Sequence, residues 1–434
     1  MSSQDETGLP PVTVRIVRIF IPFAVGYFLS YLYRTVNAVI ADELTVALNI
    51  TAAGLGLLTS AYFLAFGAFQ LPLGILLDRF GPRRVEAALL VVAGAGSAVF
   101  SQGESLATLA FGRALIGAGV SACLMAAITA NVRAWPAERL PLVNGVFMAC
   151  GGFGAVFATT PVRAVLTMTD WRGLFLALAG ITVVVALLLL LTVPEFRRTG
   201  PAHPAPDDKA PTPAGIVGLL RGTARIFASP FFWRLAPASV LMQGAFLAYL
   251  ALWTGPWLRD VDGYSRPDVA GHLQDMALAM VAGYAGFGVV AEVLRRRGGL
   301  SPTAVCVAGM GVATLMQAVL ALGLPVPAPL AWSVYACAAS ASVMVYSLLA
   351  QGFPAAMAGR VITAANLLMF MTAFALQSGI GAFLNFYPPG TGGGYSPEGH
   401  RTALLVITVA QVLALLWQIL PRRAGRQGAV RSPD

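Results

Sequence analysis

Charge is what this sequence has least of. Only 11% of its 434 residues are charged while 57% are hydrophobic, against about 25% charged in soluble domains, which excludes a water-soluble globule. Lysine is nearly absent: Lys209 stands alone beside 27 arginines. The net charge of +9 is therefore loop arginine facing anionic lipid headgroups rather than a nucleic-acid footprint. The four cysteines, Cys123, Cys150, Cys306 and Cys337, fall inside apolar runs without paired spacing. That excludes a disulfide framework and leaves thiols that behave as small apolar groups. His203, His272 and His400 are the only histidines and are widely scattered. No nucleophile, base and orienting residue gather in any loop, so neither enzyme chemistry nor a cofactor is expected. His203 and His400 read as solvated surface residues.

Long apolar runs are what the sequence has in place of charge. At about 20 residues per span there are twelve, near 16–40, 53–77, 85–102, 106–132, 143–162, 173–193, 233–257, 272–294, 303–322, 330–352, 361–386 and 402–420. The fold class expected is an all-α polytopic membrane protein. The N-terminus puts acidic and proline residues before a full-length span, so no cleavable signal peptide is expected. Across the loops, Arg163, Arg172, Arg259, Arg266 and Arg401 fall on one side, Arg34 and Arg113 lie inside spans, and the other basic residues lie on the side of the termini. The positive-inside rule then places both termini in the cytoplasm. The arginine bias suggests a GC-rich bacterial genome, and hence the inner membrane.

A Pro-rich, charged stretch interrupts the spans after the sixth. The expected organisation is a six-helix half over residues 1–193, a cytoplasmic linker over 194–232, a second half over 233–420 and a cytoplasmic tail over 421–434. The halves repeat in register. "GYFLSYLYR" from Gly26 matches "GAFLAYLAL" from Gly244, and Trp135-Pro136 matches Phe353-Pro354 at the same offset. Gly74 and Asp78 align with Gly288 and Glu292 after small indels. Parallel repeats of this kind build transporters whose site lies near the bilayer midplane between the halves. Arg34 is matched by Leu252 in the second half, so the helix scaffold does not need the arginine in both copies.

The loop after the second span reads "GILLDRFGPRR", with Gly74, Asp78, Arg79, Gly81, Arg83 and Arg84, and Pro82 inserted before the last two arginines. It resembles the signature loop between the second and third helices of the major facilitator superfamily. "RALIGAGVSA" in the fourth span resembles that family's R-x-x-x-G-x-G pattern through Arg113, Gly117 and Gly119. "DWRGLF", Asp170 to Phe175, resembles the start of its sixth helix. The fifth span lacks the G-P-x-x-G-G element of the antiporter branch. The resemblance implies twelve helices in two pseudo-symmetric halves, a monomer, and conformational gating by the signature loop together with Gly288 and Glu292.

A guanidinium inside a lipid-spanning segment is costly and calls for a cavity, a partner or a ligand. Arg34 and Arg113 lie on the first and fourth helices, which in the resembled family line the central cavity. Two fixed positive charges in a low-dielectric cleft favour an anion, whose carboxylate, sulfonate or phosphate matches the guanidinium fork. The expected function is secondary active or facilitated transport of a small organic or inorganic anion by alternating access. Tyr31, Asn37, Tyr249, Trp253 and Asn366 are expected to complete the substrate pocket. Tyr62, Gln70, Gln243, Tyr346 and Gln377 are further polar residues within spans, and the Gly-Pro break in "WTGPW" marks either a gate hinge or a helix end. No mid-span carboxylate or histidine is evident, so a coupling proton would have to use outer groups such as Asp42, Glu43, His272 or Asp275. The alternatives are a copper importer using His272, Met276 and Met280 at spacing four, a drug or metabolite exporter, and a non-transporting receptor with a transporter fold.

Overall fold

The computed structural model describes residues 11–136, 139–195, 223–354, 357–388, 390 and 394–420. Twelve helices are long and apolar enough to cross a membrane, as the hydropathy pattern predicts. They are α1 (Val12–Thr35), α2 (Ala52–Gln70), α3 (Pro82–Ser101), α4 (Leu106–Ala134), α5 (Val143–Val165) and α6 (Trp171–Thr192), then α7 (Pro230–Asp260), α8 (Arg266–Arg295), α9 (Pro302–Ala321), α10 (Ala328–Leu349), α11 (Gly359–Leu384) and α12 (Pro397–Ile419). Most of the expected linker and the whole tail from residue 421 lie outside the described residues, as does His203.

Helix starts follow local chemistry. Thr51, Ser105, Asp170, Ser265, Ser301 and Ser396 each accept a hydrogen bond from the backbone N–H three residues on, satisfying a donor the helix leaves free. Pro82, Pro230, Pro302 and Pro397 occupy first helical positions, where the missing N–H costs nothing. The inserted Pro82 of the signature loop thus starts α3. Gly81 before it has φ +79°, a conformation that favours glycine.

Two helices run past their expected ends. Beyond Thr35, α1 passes through a one-residue turn at Val36 and continues as Asn37–Leu48, so Arg34 lies mid-way along the combined helix. In α7 the chain does not end at "WTGPW": a π-helical turn at Tyr249–Trp253 leads into Thr254–Asp260. The extra residue per turn there re-aims the side chains that follow.

Within the first half α3 packs on α4 and α6, and across the halves α2 runs against α11 and α5 against α8. The closeness of these pairs changes along their length. Away from the termini, a side-chain carbon added at Gly56 would lie 2.8 Å from the Gln377 carbonyl, and one at Gly255 2.7 Å from the Ala38 carbonyl. Midway, Gly67 on α2 meets Met371 at 2.7 Å and Gly152 on α5 meets Val281. Towards the termini, Gly74, Gly145, Gly286, Gly288 and Gly359 have nothing within 4 Å. The halves thus approach closely on the far side at Gly56 and Gly255, while these five glycines towards the termini face open space.

Candidate functional site

A cavity of about 260 Å³ lies between the halves. From α1 it receives Tyr27, Ser30, Tyr31 and Arg34; Phe66 and Gln70 of α2 and Ser121 and Met125 of α4 complete that wall. The second half supplies Gln243 and Phe246 of α7, Tyr284 of α8, Tyr346 of α10, and Asn366 and Phe370 of α11.

Arg34 is the charge of this chamber. Its guanidinium carbon sits 4.5 Å from the centre of the Tyr31 ring, 5.3 Å from Phe66 and 5.6 Å from Phe370. Its Nε has no hydrogen-bond partner. Among the described residues, no carboxylate forms an ion pair with it. Aromatic faces attract a cation, and the Tyr62 hydroxyl lies within hydrogen-bonding reach of the guanidinium, but no carboxylate satisfies its charge.

The neutral polar groups facing Arg34 are tied to one another. Tyr346 donates to Gln243 Oε1 at 3.1 Å and reaches Asn366 Oδ1 at 3.3 Å. Gln243 Nε2 donates to Ser239 at 2.8 Å, and Gln70 Nε2 to the Ser121 carbonyl at 3.2 Å.

The other residues singled out from the sequence are distributed differently. Tyr31 and Asn366 line the cavity; Arg113, Asn37, Tyr249 and Trp253 do not. Arg113 is fully buried, donates from Nη1 to the Tyr33 carbonyl at 2.8 Å and lies over the Tyr62 ring at 5.0 Å. It clamps α4 to the turn that carries Arg34. Tyr62 adds a hydrogen bond to the Ser30 carbonyl at 3.2 Å. Asn37 follows the turn in α1 and is buried with neither amide atom paired. Tyr249 packs on Trp332 at 5.0 Å. It shares a repeat position with Tyr31 yet faces into its own half.

Trp253 belongs to the far-side seal. Its indole N–H donates to the Gln377 carbonyl at 3.0 Å, and the Gln377 amide donates to Thr59 of α2 at 2.5 Å. Charges complete the seal. Arg259 of α7 pairs with Asp42 at the end of α1, which also meets Arg266 of α8 at 3.4 Å. Asp260 accepts from Arg259 at 2.5 and 2.8 Å and from the Tyr395 N–H at 3.0 Å. Arg163 pairs with Glu43 within the first half at 2.8 Å. The expectation that His400 is a solvated loop residue is overturned: it is 1% exposed, 3.5 Å from Asp260 and packed on Trp253 and Trp257. Beside this seal, burial raises the Tyr395 phenol above its ordinary value.

The signature loop lies at the open end. Gly74 faces open space, Arg79 covers Phe80, Arg83 donates to the Leu190 carbonyl and Arg84 pairs with Glu195 at the end of α6. Gly288 also faces open space. The side chains of Asp78 and Glu292 lie outside the described residues. His272 is partly exposed against Tyr264, whereas Met276 and Met280 are buried in the packed core. Among the described residues, no three His, Cys, Asp or Glu side chains gather as metal ligands.

Sequence reasoning missed three features. Tyr27 and Tyr284 join the cavity wall, and Arg15, buried at the start of α1, donates to the Ala134 carbonyl at 3.2 Å over the Trp135 ring. Sequence reasoning weighed carboxylates at mid-span and so also passed over one near the start of α3. Glu86 of α3 is fully buried and neither carboxyl oxygen has a hydrogen-bond partner. The signal was present, an acid four residues into a span, but its closeness to "GPRR" disguised it as loop charge.

The family model described as Major Facilitator Superfamily matches residues 23–376. Among curated relatives, the uncharacterized transporter YybO of Bacillus subtilis is 31% identical over 36% of each chain. A probable sulfoacetate transporter of Cupriavidus necator is 24% identical over 36% of each chain, and the hexuronate transporter of Escherichia coli K12 is 26% identical over 38% of each. The match thus spans little more than a third of the length of these relatives. Among solved structures, an inward-facing bacterial homologue of the lysosomal transporter Spinster superposes with a TM-score of 0.75 at 18% identity, over 94% of this chain and 97% of that one. A D-xylose–proton symporter gives 0.68 at 14% identity, over 92% and 96%.

Proposed function

Because the chain belongs to the Major Facilitator Superfamily, we propose that it moves a small organic anion across the membrane by alternating access. The observation that carries this reading is Arg34, a guanidinium facing a 260 Å³ chamber with no carboxylate partner among the described residues. A charge left uncompensated at that depth is costly, and a bound anion offsets the cost while using the fork geometry. Relatives named for sulfoacetate and hexuronate transport, both anions, support the charge class. The chamber's aromatic walls favour an anion with an apolar body. Its Gln, Asn and Tyr groups are engaged with one another, so hydroxyl-rich solutes gain less there.

In this reading Arg34 binds the anionic head, Tyr31, Phe66 and Phe370 hold the guanidinium in place, and Arg113 fixes the backbone beneath it. The pairs of Asp42 with Arg259 and Arg266 close the far side, and the signature loop separates at the open side. The loop arginines argue that the open side and both termini are cytoplasmic, in a bacterial inner membrane, with the monomer as the working unit. Uptake of labelled aliphatic and aromatic carboxylates and sulfonates into proteoliposomes tests this. The expected result is saturable uptake of at least one such anion by wild type, lost in Arg34→Ala. Uptake of a neutral or cationic solute that is equal in both proteins overturns the assignment.

A further inference from the structure

Glu86 has no part in the cavity chemistry described above. It is fully buried on α3 and neither oxygen has a hydrogen-bond partner. What surrounds it can be named element by element. On α1 the contact is Gly26, where an added side-chain carbon would collide with Glu86 Oε1 and would lie 3.7 Å from Leu90. On α4 the neighbour is the thiol of Cys123, the one side chain within hydrogen-bonding reach of the Glu86 carboxyl among the described residues, and itself within electrostatic reach of Arg34. The nearest arginines on α3 itself are engaged elsewhere: Arg83 donates to the Leu190 carbonyl and Arg84 pairs with Glu195. The only titratable residue of α6 is Arg172, next to its far-side end. On α2, Arg79 is exposed at the open end, and the Asp78 side chain lies outside the described residues.

An ionised carboxylate is not stable in such a place, because burial without a cation costs far more than carrying a proton. The neutral acid is the form this setting accommodates, and the weak thiol of Cys123 is the one side chain within hydrogen-bonding reach of it among the described residues. The space it fills exists because residue 26 is glycine. Gly26 and Arg34 share α1, about 12 Å apart along its axis at 1.5 Å per residue. A movement of α1 relative to α3 that accompanies binding at Arg34 changes the packing around the acid.

We propose that Glu86 is a proton-binding site, buried behind α1 and α4, which loads and unloads its proton as α1 moves between the two faces of the transport cycle. This rests on the alternating-access reading above but not on the charge of the solute. With a singly charged anion at Arg34 and a proton at Glu86, the loaded carrier moves no net charge. Proton and solute use separate sites, linked by one helix and by the thiol between them.

The test needs no identified solute. Spin labels at Ile75→Cys and Arg360→Cys, with Cys150 and Cys337 replaced by alanine, report the separation of α2 and α11 at the open end. Distances are measured from pH 5 to pH 9. The expected result is that the open and closed populations shift with pH in the otherwise wild-type protein and become independent of pH in Glu86→Gln, with Glu86→Asp restoring part of the response. Infrared spectra of the same proteins should contain a protonated-carboxyl band that moves in D₂O and is missing from Glu86→Gln. A pH response that survives in Glu86→Gln, a wild type without one, or a band that neither titrates nor moves in D₂O overturns the proposal. Failure of every anion to bind would overturn the anion reading and leave this result standing.

Discussion

The two halves of this molecule repeat one helix pattern but divide its chemistry. Among the described residues, the first half carries the buried arginines Arg15, Arg34 and Arg113 and the buried acid Glu86. The second half faces the same cavity with neutral groups, Gln243, Tyr284, Tyr346 and Asn366. Leu252, at the repeat position of Arg34, is fully buried beside the π-helical turn of α7. In the proposed reading a duplicated scaffold becomes a binding site through asymmetry, with one half gripping a charge and the other shaping the wall around it.

The largest effect expected from disturbing this division is at Leu252. Leu252→Arg places a second guanidinium where there is no cavity to receive it, and an unpaired buried charge costs about 3–5 kcal/mol. Expression as a monodisperse protein should be lost, which size-exclusion profiles of a fluorescent fusion check. Next comes Arg34→Ala, which should keep the fold while losing the stabilisation an anion provides, about 2.7 kcal/mol at a hundred times its Kd. Arg34→Lys should recover little of it, because an ammonium cannot present the bidentate fork. Arg113→Met removes a charged donor to the Tyr33 carbonyl and should lower stability by about 1.5–3 kcal/mol. Melting without ligand separates its structural effect from that of Arg34→Ala. Asp42→Asn weakens pairs that join the halves on the far side, worth about 1 kcal/mol for partly exposed ions. It should move the population several-fold towards opening there, as read by thiol labelling of a cysteine placed at Ala38. Smallest is Arg84→Ala, whose pair with Glu195 is exposed on both sides; its melting temperature should not change measurably.

Much of this division was legible before the fold. Hydropathy alone locates the twelve spans, because a lipid solvent leaves helices little choice, and the offset between the halves identifies Arg34 as unmatched. What sequence could not supply is the direction in which side chains point. Arg34 and Asn37 are three residues apart and both buried, yet Arg34 lines the cavity and Asn37 does not. Tyr31 and Tyr249 hold the same repeat position, yet Tyr31 lines the cavity while Tyr249 packs on Trp332. Arg113 is an intramembrane arginine like Arg34, and only its bond to the Tyr33 carbonyl distinguishes a brace from a binding group. His400 looked like loop surface because the Trp253 and Trp257 rings that cover it come from 147 and 143 residues earlier in the chain.

The central claim is that one unpaired guanidinium, supplied by the first half alone, binds the solute. The most direct measurement is thermal stability of the purified protein across carboxylates, sulfonates, phosphates, sugars, cationic drugs and Cu(I), with wild type beside Arg34→Ala. The account predicts that a carboxylate or sulfonate raises the melting temperature of wild type and leaves that of Arg34→Ala unchanged. Stabilisation of both proteins by the same neutral, cationic or metal ligand would contradict it and return Arg34 to the scaffold.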